Sequence, residues 1–198
     1  TLFDPSNSGL ETLIYEPDPN YISVRISGTA FDDQSNLWVL NSKVKMPLKK
    51  LNPSNNKWIS YDFTSIIPDP LTDELGFSEI VIGSDGTKWI GSYRSGLIGF
   101  NETGMLLKNI YDKDIANLPS PTIIALALDK NNVLWIGTYR GLRVLYNTSN
   151  FFSEDIVKTE PIIILEDGIA QELLSQQFIS DIIVDGSNNK WISTADAG

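Results

Sequence analysis

The residues best suited to recognition chemistry are two Tyr-Arg pairs, Tyr93-Arg94 and Tyr139-Arg140. Arginine grips carboxylate or phosphate with a planar fork, and tyrosine offers an apolar face with a polar edge. The chain carries a net charge of −10 and only 15 basic residues, of which Arg25, Arg94, Arg140 and Arg143 are the arginines. Two Tyr-Arg pairs at matching places in such a chain predict an anion or sugar site. The alternative reading is that each arginine pairs with a neighbouring acid and closes a turn.

Other chemistries find fewer residues. The 198 residues include no Cys and no His. Disulfide and thiolate chemistry, His-ligated metal and a histidine base are therefore excluded. Asp185-Gly-Ser-Asn-Asn-Lys has calcium-loop composition, but it lacks glycine at position six and glutamate at position twelve. It reads as a surface turn. Ser84-Asp-Gly-Thr-Lys-Trp89 is similar to the Asp-box turn of sialidases, one residue short, and no acid–Tyr–Arg constellation accompanies it. No catalytic residue, metal or cofactor is expected. The acidic balance argues against nucleic acid or an anionic membrane as a partner of the whole surface. The longest aliphatic run, Ile162 to Leu165, is far too short to span a bilayer. A chain without cysteine also suits an extracytoplasmic setting that needs no staples.

The elements that must position these side chains are set by a repeat. Trp38, Trp89, Trp135 and Trp191 recur at intervals of about 46–56 residues. Each is preceded by a polar turn and sits in a short run rich in Ile, Val, Leu and Trp, which favours strands over helices. Asp32, Asp129 and Asp185 stand six residues before three of the tryptophans; the second copy has Gly83 there. Asp, Asn and Gly form such turns because they tolerate unusual φ and bond locally to backbone. Four copies of this unit predict an all-β fold, a β-propeller of four-stranded antiparallel blades. Recurrence in every copy assigns the four tryptophans a structural role between blades, against the alternative of a ligand-stacking platform. Trp58 is different. Ser54–Ser60 repeats Ser187–Ser193 residue for residue, yet Trp58 lies too close to Trp38 to open a blade. It reads as part of an outer strand.

Along the chain, residues 1–20 read as an outer half-blade, with a strand from Leu10 to Tyr15. Complete blades are expected at 22–63, 77–111 and 122–165, and an inner half-blade at 178–198. The fourth strand of the third blade is placed at Glu160–Leu165, and Glu166–Gln177 is expected to form a short helix capped by Asp167. The start at Thr1, inside the repeat, predicts an excerpt of a longer protein whose remaining blades lie elsewhere.

In an up-and-down meander, successive turns alternate between the two ends of a sheet. The first-to-second and third-to-fourth turns share one rim and are tight and repetitive here. The other rim collects the irregular segments: Lys43–Lys45, Thr64–Leu75, Tyr93-Arg94, Asp112–Pro121, Tyr139-Arg140, Phe151–Gln177 and Asp196. Variable loops on a rigid frame are where binding concentrates, so the irregular rim is the expected recognition face.

The pattern Asp-x-x-x-x-Leu/Lys-Trp-Ile/Val-Gly/Ser-Thr/Ser…Gly-Leu…Tyr/Phe-Asn resembles the two-component regulator propeller repeat. Asp129–Asn147 carries it best and Asp85–Asn101 nearly as well. Asp32–Ser42 and Asp185–Thr194 match in their first half. Outside the repeat, Arg25-Ile-Ser-Gly-Thr-Ala-Phe-Asp32, Pro47-Leu-Lys-Lys-Leu51, Leu75-Gly-Phe77, Gly168-Ile-Ala-Gln-Glu-Leu-Leu174 and Gln176-Gln177 resemble the PorZ family of the type IX secretion attachment complex of Bacteroidota. That resemblance implies two seven-bladed propellers and a C-terminal domain in the whole protein. It also implies a non-catalytic cell-surface role, a sortase partner and an anionic lipopolysaccharide ligand. The generic repeat implies the alternative, the periplasmic oligosaccharide-sensing propeller of a hybrid two-component sensor kinase. Neither resemblance assigns site residues.

Overall fold

The β-branched and aromatic runs between the Asx turns form strands, and the strands pair in sequence order. The computed structural model describes residues 2–13, 17–18, 20–67 and 76–195. The first sheet is β1 (Ile26–Phe31), β2 (Leu37–Asn41), β3 (Leu48–Asn52) and β4 (Lys57–Tyr61). The second is β5 (Phe77–Ile82), β6 (Lys88–Ser92), β7 (Leu97–Asn101) and β8 (Leu106–Ile110). Both are antiparallel meanders in the order of the chain. After a one-turn helix, α1 (Lys113–Ala116), the third sheet holds β9 (Ile123–Leu128), β10 (Leu134–Thr138) and β11 (Gly141–Leu145). A hairpin follows, β12 (Ile163–Glu166) with β13 (Ile169–Glu172), and then a last pair, β14 (Ile179–Val184) with β15 (Lys190–Thr194).

The innermost strands β1, β5, β9 and β14 lie side by side, which is the packing of propeller blades around an axis. The pairing of first and second strands slips at one point in each of the four sheets around the axis, next to Gly28, Ile80, Thr138 and Asp181. These bulges turn Ser27, Ser78, Glu79, Ser180 and Asp181 towards an axial cavity of about 310 Å³. Burial pushes the Glu79 carboxyl above its ordinary range, and the like charge of Asp181 adds to this.

The core lies between the sheets. Trp38 packs with Ile80, Ile90, Ile98 and Phe100 of the second sheet. Trp89 packs with Ile123, Leu126, Leu134 and Ile136 of the third. Trp135 packs with the last pair, through Ile179, Ile182 and Ile192. Each indole thus faces the following sheet. Trp38 and Trp89 are 0% and 1% exposed, whereas Trp191 is 65% exposed because no described residue packs a sheet over it. An indole buried among apolar side chains contributes up to about 4–6 kcal/mol by area, so the inner tryptophans stabilise the joints and Trp191 contributes little as it stands.

Three expectations need correction. Glu166–Gln177 is not a helix: Asp167 and Gly168 take φ of 53° and 79° and close the β12–β13 hairpin. Asx-Gly supplies the left-handed backbone that a two-residue hairpin turn needs. The third sheet does not gain a full fourth strand at Glu160–Leu165; Glu160 makes one bridge to Val144 and the chain then leaves for the hairpin. Among the described residues of 1–20 there is no strand. Phe3 instead meets the Trp58 ring edge-on at 5.4 Å, and Glu11 pairs with the fully buried Lys49 of β3. The far end of the expected Leu10–Tyr15 strand, much of the Thr64–Leu75 connection, and Asp196 lie outside the described residues.

Candidate functional site

The two Tyr-Arg pairs project from second-to-third turns that a hydroxyl latches shut. In the third sheet, Thr138 Oγ1 donates to the Gly141 carbonyl at 2.9 Å and accepts from the Arg140 amide at 3.0 Å. In the second, Ser92 Oγ donates to the Gly96 carbonyl at 3.0 Å and accepts from the Ser95 amide at 2.8 Å. Gly141 and Gly96 close these turns with φ of 130° and 74°. At Gly96 a Cβ would lie 2.0 Å from the Ile110 carbonyl oxygen, so no other residue fits. The turns also dock alike: the Tyr93 amide bonds the Gly76 carbonyl, and the Tyr139 amide bonds the Thr122 carbonyl. They differ by one residue, because Ser95 lengthens the second-sheet turn.

That extra residue and the packing around it separate the two pairs. Tyr93 lies over Gly76, where a Cβ would stand 2.6 Å from the ring. Tyr139 instead meets Phe178 edge-on at 5.4 Å. Tyr139 and Arg140 line a cavity of about 570 Å³ with Gln176, Phe178 and Ala195; Tyr93 and Arg94 line no part of it. The Arg140 side chain is exposed and has no hydrogen-bond or ion-pair partner among the described residues. Arg143, by contrast, is structural: it donates to the Asn117 and Leu142 carbonyls and pairs with Glu172 at 3.2 Å.

Sequence reasoning overlooked two other surfaces. The hairpin between the third sheet and the last pair carries Ile163, Leu165 and Ile169 into solvent at 56%, 78% and 64% exposure. Asp167-Gly168 between two apolar runs was the signal for it. The regular rim also holds a cavity, of about 610 Å³, among the turns of the first three sheets. Asp32, Asp33, Asp85, Glu102 and Asp129 line it, with Lys88 and the exposed Phe31. Three of those acids are committed to turns, Asp85 through the Thr87 amide at 3.0 Å and hydroxyl at 2.8 Å. Asp32 accepts from the Gln34 and Asn36 amides and from Trp38 Nε1 at 2.9 Å. Asp129 does the same for the Asn131 and Val133 amides and Trp135 Nε1. Among the described residues, no group of three His, Cys, Asp or Glu is placed to hold a metal ion.

Residues 117–140 match the model of the two component regulator propeller. The match spans β9 and β10 of the third sheet. PorZ from Porphyromonas gingivalis, an essential bacterial surface component of the type-IX secretion system, aligns with a TM-score of 0.73 at 26% identity. The match covers 94% of this chain and 26% of PorZ, so the chain spans about a quarter of that protein's length. The extracellular domain of a hybrid two component system from B. thetaiotaomicron aligns with a TM-score of 0.59 at 23% identity, over 97% of this chain and 22% of that one. A form of virginiamycin B lyase from Staphylococcus aureus, made inactive by replacing a histidine, aligns at 0.60 and 15% identity, over 86% and 49%. The last two share the fold. No curated protein matches the chain in sequence. No helix among the described residues is long and apolar enough to cross a membrane.

Proposed function

We propose that this chain is a non-catalytic, extracytoplasmic propeller segment of a PorZ-like surface component of type IX secretion. Its irregular rim binds an anionic lipopolysaccharide, which the assembly delivers to a sortase. The observation that carries this reading is the unpartnered guanidinium of Arg140 beside the Tyr139–Phe178 edge, at a cavity of about 570 Å³. A cavity of a few hundred Å³ with an aromatic wall and one cation is suited to a sugar that bears a carboxylate or phosphate. Absence of histidine throughout the chain supports a binding role rather than the chemistry of the histidine-dependent lyase. The exposed apolar hairpin β12–β13 offers a surface for the protein partner.

The test is the affinity of the protein for purified anionic lipopolysaccharide before and after Arg140→Ala. A charge-assisted hydrogen bond contributes about 1.5–3 kcal/mol, so binding weakens by roughly ten- to a hundredfold with the melting temperature unchanged. Arg94→Ala in the same background adds a further loss only if one ligand spans both turns. Unaltered affinity in the double variant refutes the site.

The repeat match and the neighbouring sensor domain favour one second reading, the oligosaccharide-sensing propeller of a hybrid two-component system. Tight binding of a neutral oligosaccharide, insensitive to salt and to Arg140, selects it.

A further inference from the structure

The three joints between consecutive sheets differ in a correlated way. At the first joint, Lys88 of β6 holds Nζ 3.9 Å above the Trp38 ring, and Asp32 accepts that indole's N–H. At the third joint, Lys190 of β15 holds Nζ 5.1 Å from the centre of the Trp135 ring and 2.9 Å from Asp129 Oδ2, which accepts the Trp135 N–H. Lys88 and Lys190 each stand immediately before the tryptophan of their own sheet. At the middle joint the lysine is missing and the acid is displaced: Asp85 is held by the Thr87 amide and hydroxyl, with Oδ1 2.8 Å from where a Gly83 Cβ would stand. Gly83 occupies the acid's place, and Leu134, fully buried against Trp89, occupies the lysine's. Phe151 fills the space over Trp89, meeting it edge-on at 4.8 Å, and packs on Gly99 where the first sheet has Lys50.

We propose that this acid–indole–lysine set keys each blade to the one that follows it: an aspartate six residues before a tryptophan selects a lysine just before the next. The discrimination is physical. Lys88 is 4% exposed and Asp129 is 7% exposed, and a charge at that depth is costly unless an opposite charge meets it: Asp129 meets Lys190, and Lys88 is attracted by Glu102 first and Asp32 second, with Lys50, paired to Glu102, 5.2 Å from the same ring. Leucine over Asp129 leaves that carboxylate's charge to the turn amides and the indole N–H alone; lysine over Trp89 meets the Phe151 ring where leucine packs now. The turn does not need the key. Asp185 closes the same turn, accepting from the Ser187 and Asn189 amides and Trp191 Nε1, with no lysine over its indole among the described residues. The lysine therefore adds recognition between sheets to a turn that is complete without it.

A double-mutant cycle on the full chain separates this from simple packing. Asp129→Asn keeps an acceptor for the turn amides, and Lys190→Met keeps the stem over the indole; both remove charge. Lys190→Met is expected to lower the thermal midpoint and to speed amide exchange in β14–β15. In the Asp129→Asn background the same change should lower the midpoint by less than half as much. Equal drops in both backgrounds overturn the proposal.

Discussion

Asp32, Asp129 and Asp185 each collect two turn amides and one indole N–H on a single carboxylate, with the indole bonds at 2.9, 3.3 and 3.1 Å. A left-handed residue follows three places later in each case, Ser35, Asn132 and Asn188, where serine or asparagine bends the chain back. Burial pushes the Asp32 and Asp129 carboxyls up, but hydrogen bonds outweigh it: Trp38 and Asn36 for the first, Lys190 and Val133 for the second. Asp185 is held far below the ordinary range by its bonds from Asn189 and Trp191. All three folded values lie under the ordinary 3.8. Their contribution is therefore full above that pH and is lost as pH falls through the folded values. Glu79 works in the opposite sense: its raised value stabilises the fold in acid and gives that up as pH rises past the ordinary 4.5. Melting followed by tryptophan fluorescence should show the midpoint dropping below about pH 4, with a shallower drop in Asp32→Asn. An equally steep drop in that variant would show that the turn carboxylate carries no linkage. The acids six places before tryptophan were plain in the sequence. Their bond to the indole was not, because spacing fixes a turn but not where a ring points. The alternation Leu37, Lys88, Leu134, Lys190 before the tryptophans was visible too, and became meaningful only once the lysines were seen over the preceding rings.

At the scale of elements, close approach of neighbouring sheets explains the glycine in Trp-Ile-Gly. A Cβ at Gly137 would lie 2.6 Å from Ile179 Cγ2 of the next sheet, and one at Gly91 would meet Ser78 Oγ and Ile123. Gly186, in an exposed turn, has nothing within 4 Å. Gly137→Val should cost about 1–3 kcal/mol by overpacking, while Gly186→Ala stays within about 0.5 kcal/mol; urea midpoints read both. Similar midpoints for the two would mean that the sheets are not in contact at Gly137. Ser78 Oγ, beside Gly91, is buried without a partner among the described residues, whereas Ser180 Oγ finds Ser193 Oγ at 2.8 Å in the last pair. Strands and tight turns were legible because alternation and Asx turns act locally. The stretch Glu166–Gln177 was misread because Ile169, Leu173 and Leu174 fall at helical spacing. The Asp167-Gly168 turn prevailed over that spacing, and β13 is further tied through Glu172 to Arg143 and through Leu173 to the Ile162 carbonyl. That tie is long-range, and no local pattern announces it.

At the scale of the molecule, the sheets set two rims with different chemistry. The regular rim is acid-lined, and two of its carboxylates, Asp32 and Asp129, are engaged by indoles and turn amides. The irregular rim holds the exposed Arg140 with its aromatic neighbours. The tyrosine–arginine pairs were legible as residue types. Their separation into one cavity-lining pair and one packed pair was not, since it depends on Ser95 and on Phe178 arriving from the last pair of strands. On a chain of net charge −10, an anion approaches where cations are unmatched, which favours the Arg140 side. Amide-resolved mapping of the protein titrated with purified anionic lipopolysaccharide tests this most directly. The account predicts changes confined to Tyr139–Gly141 and Gln176–Phe178, and none in the turns after Asp32, Gly83 and Asp129. Changes centred on those turns, with the Arg140 turn silent, would contradict it.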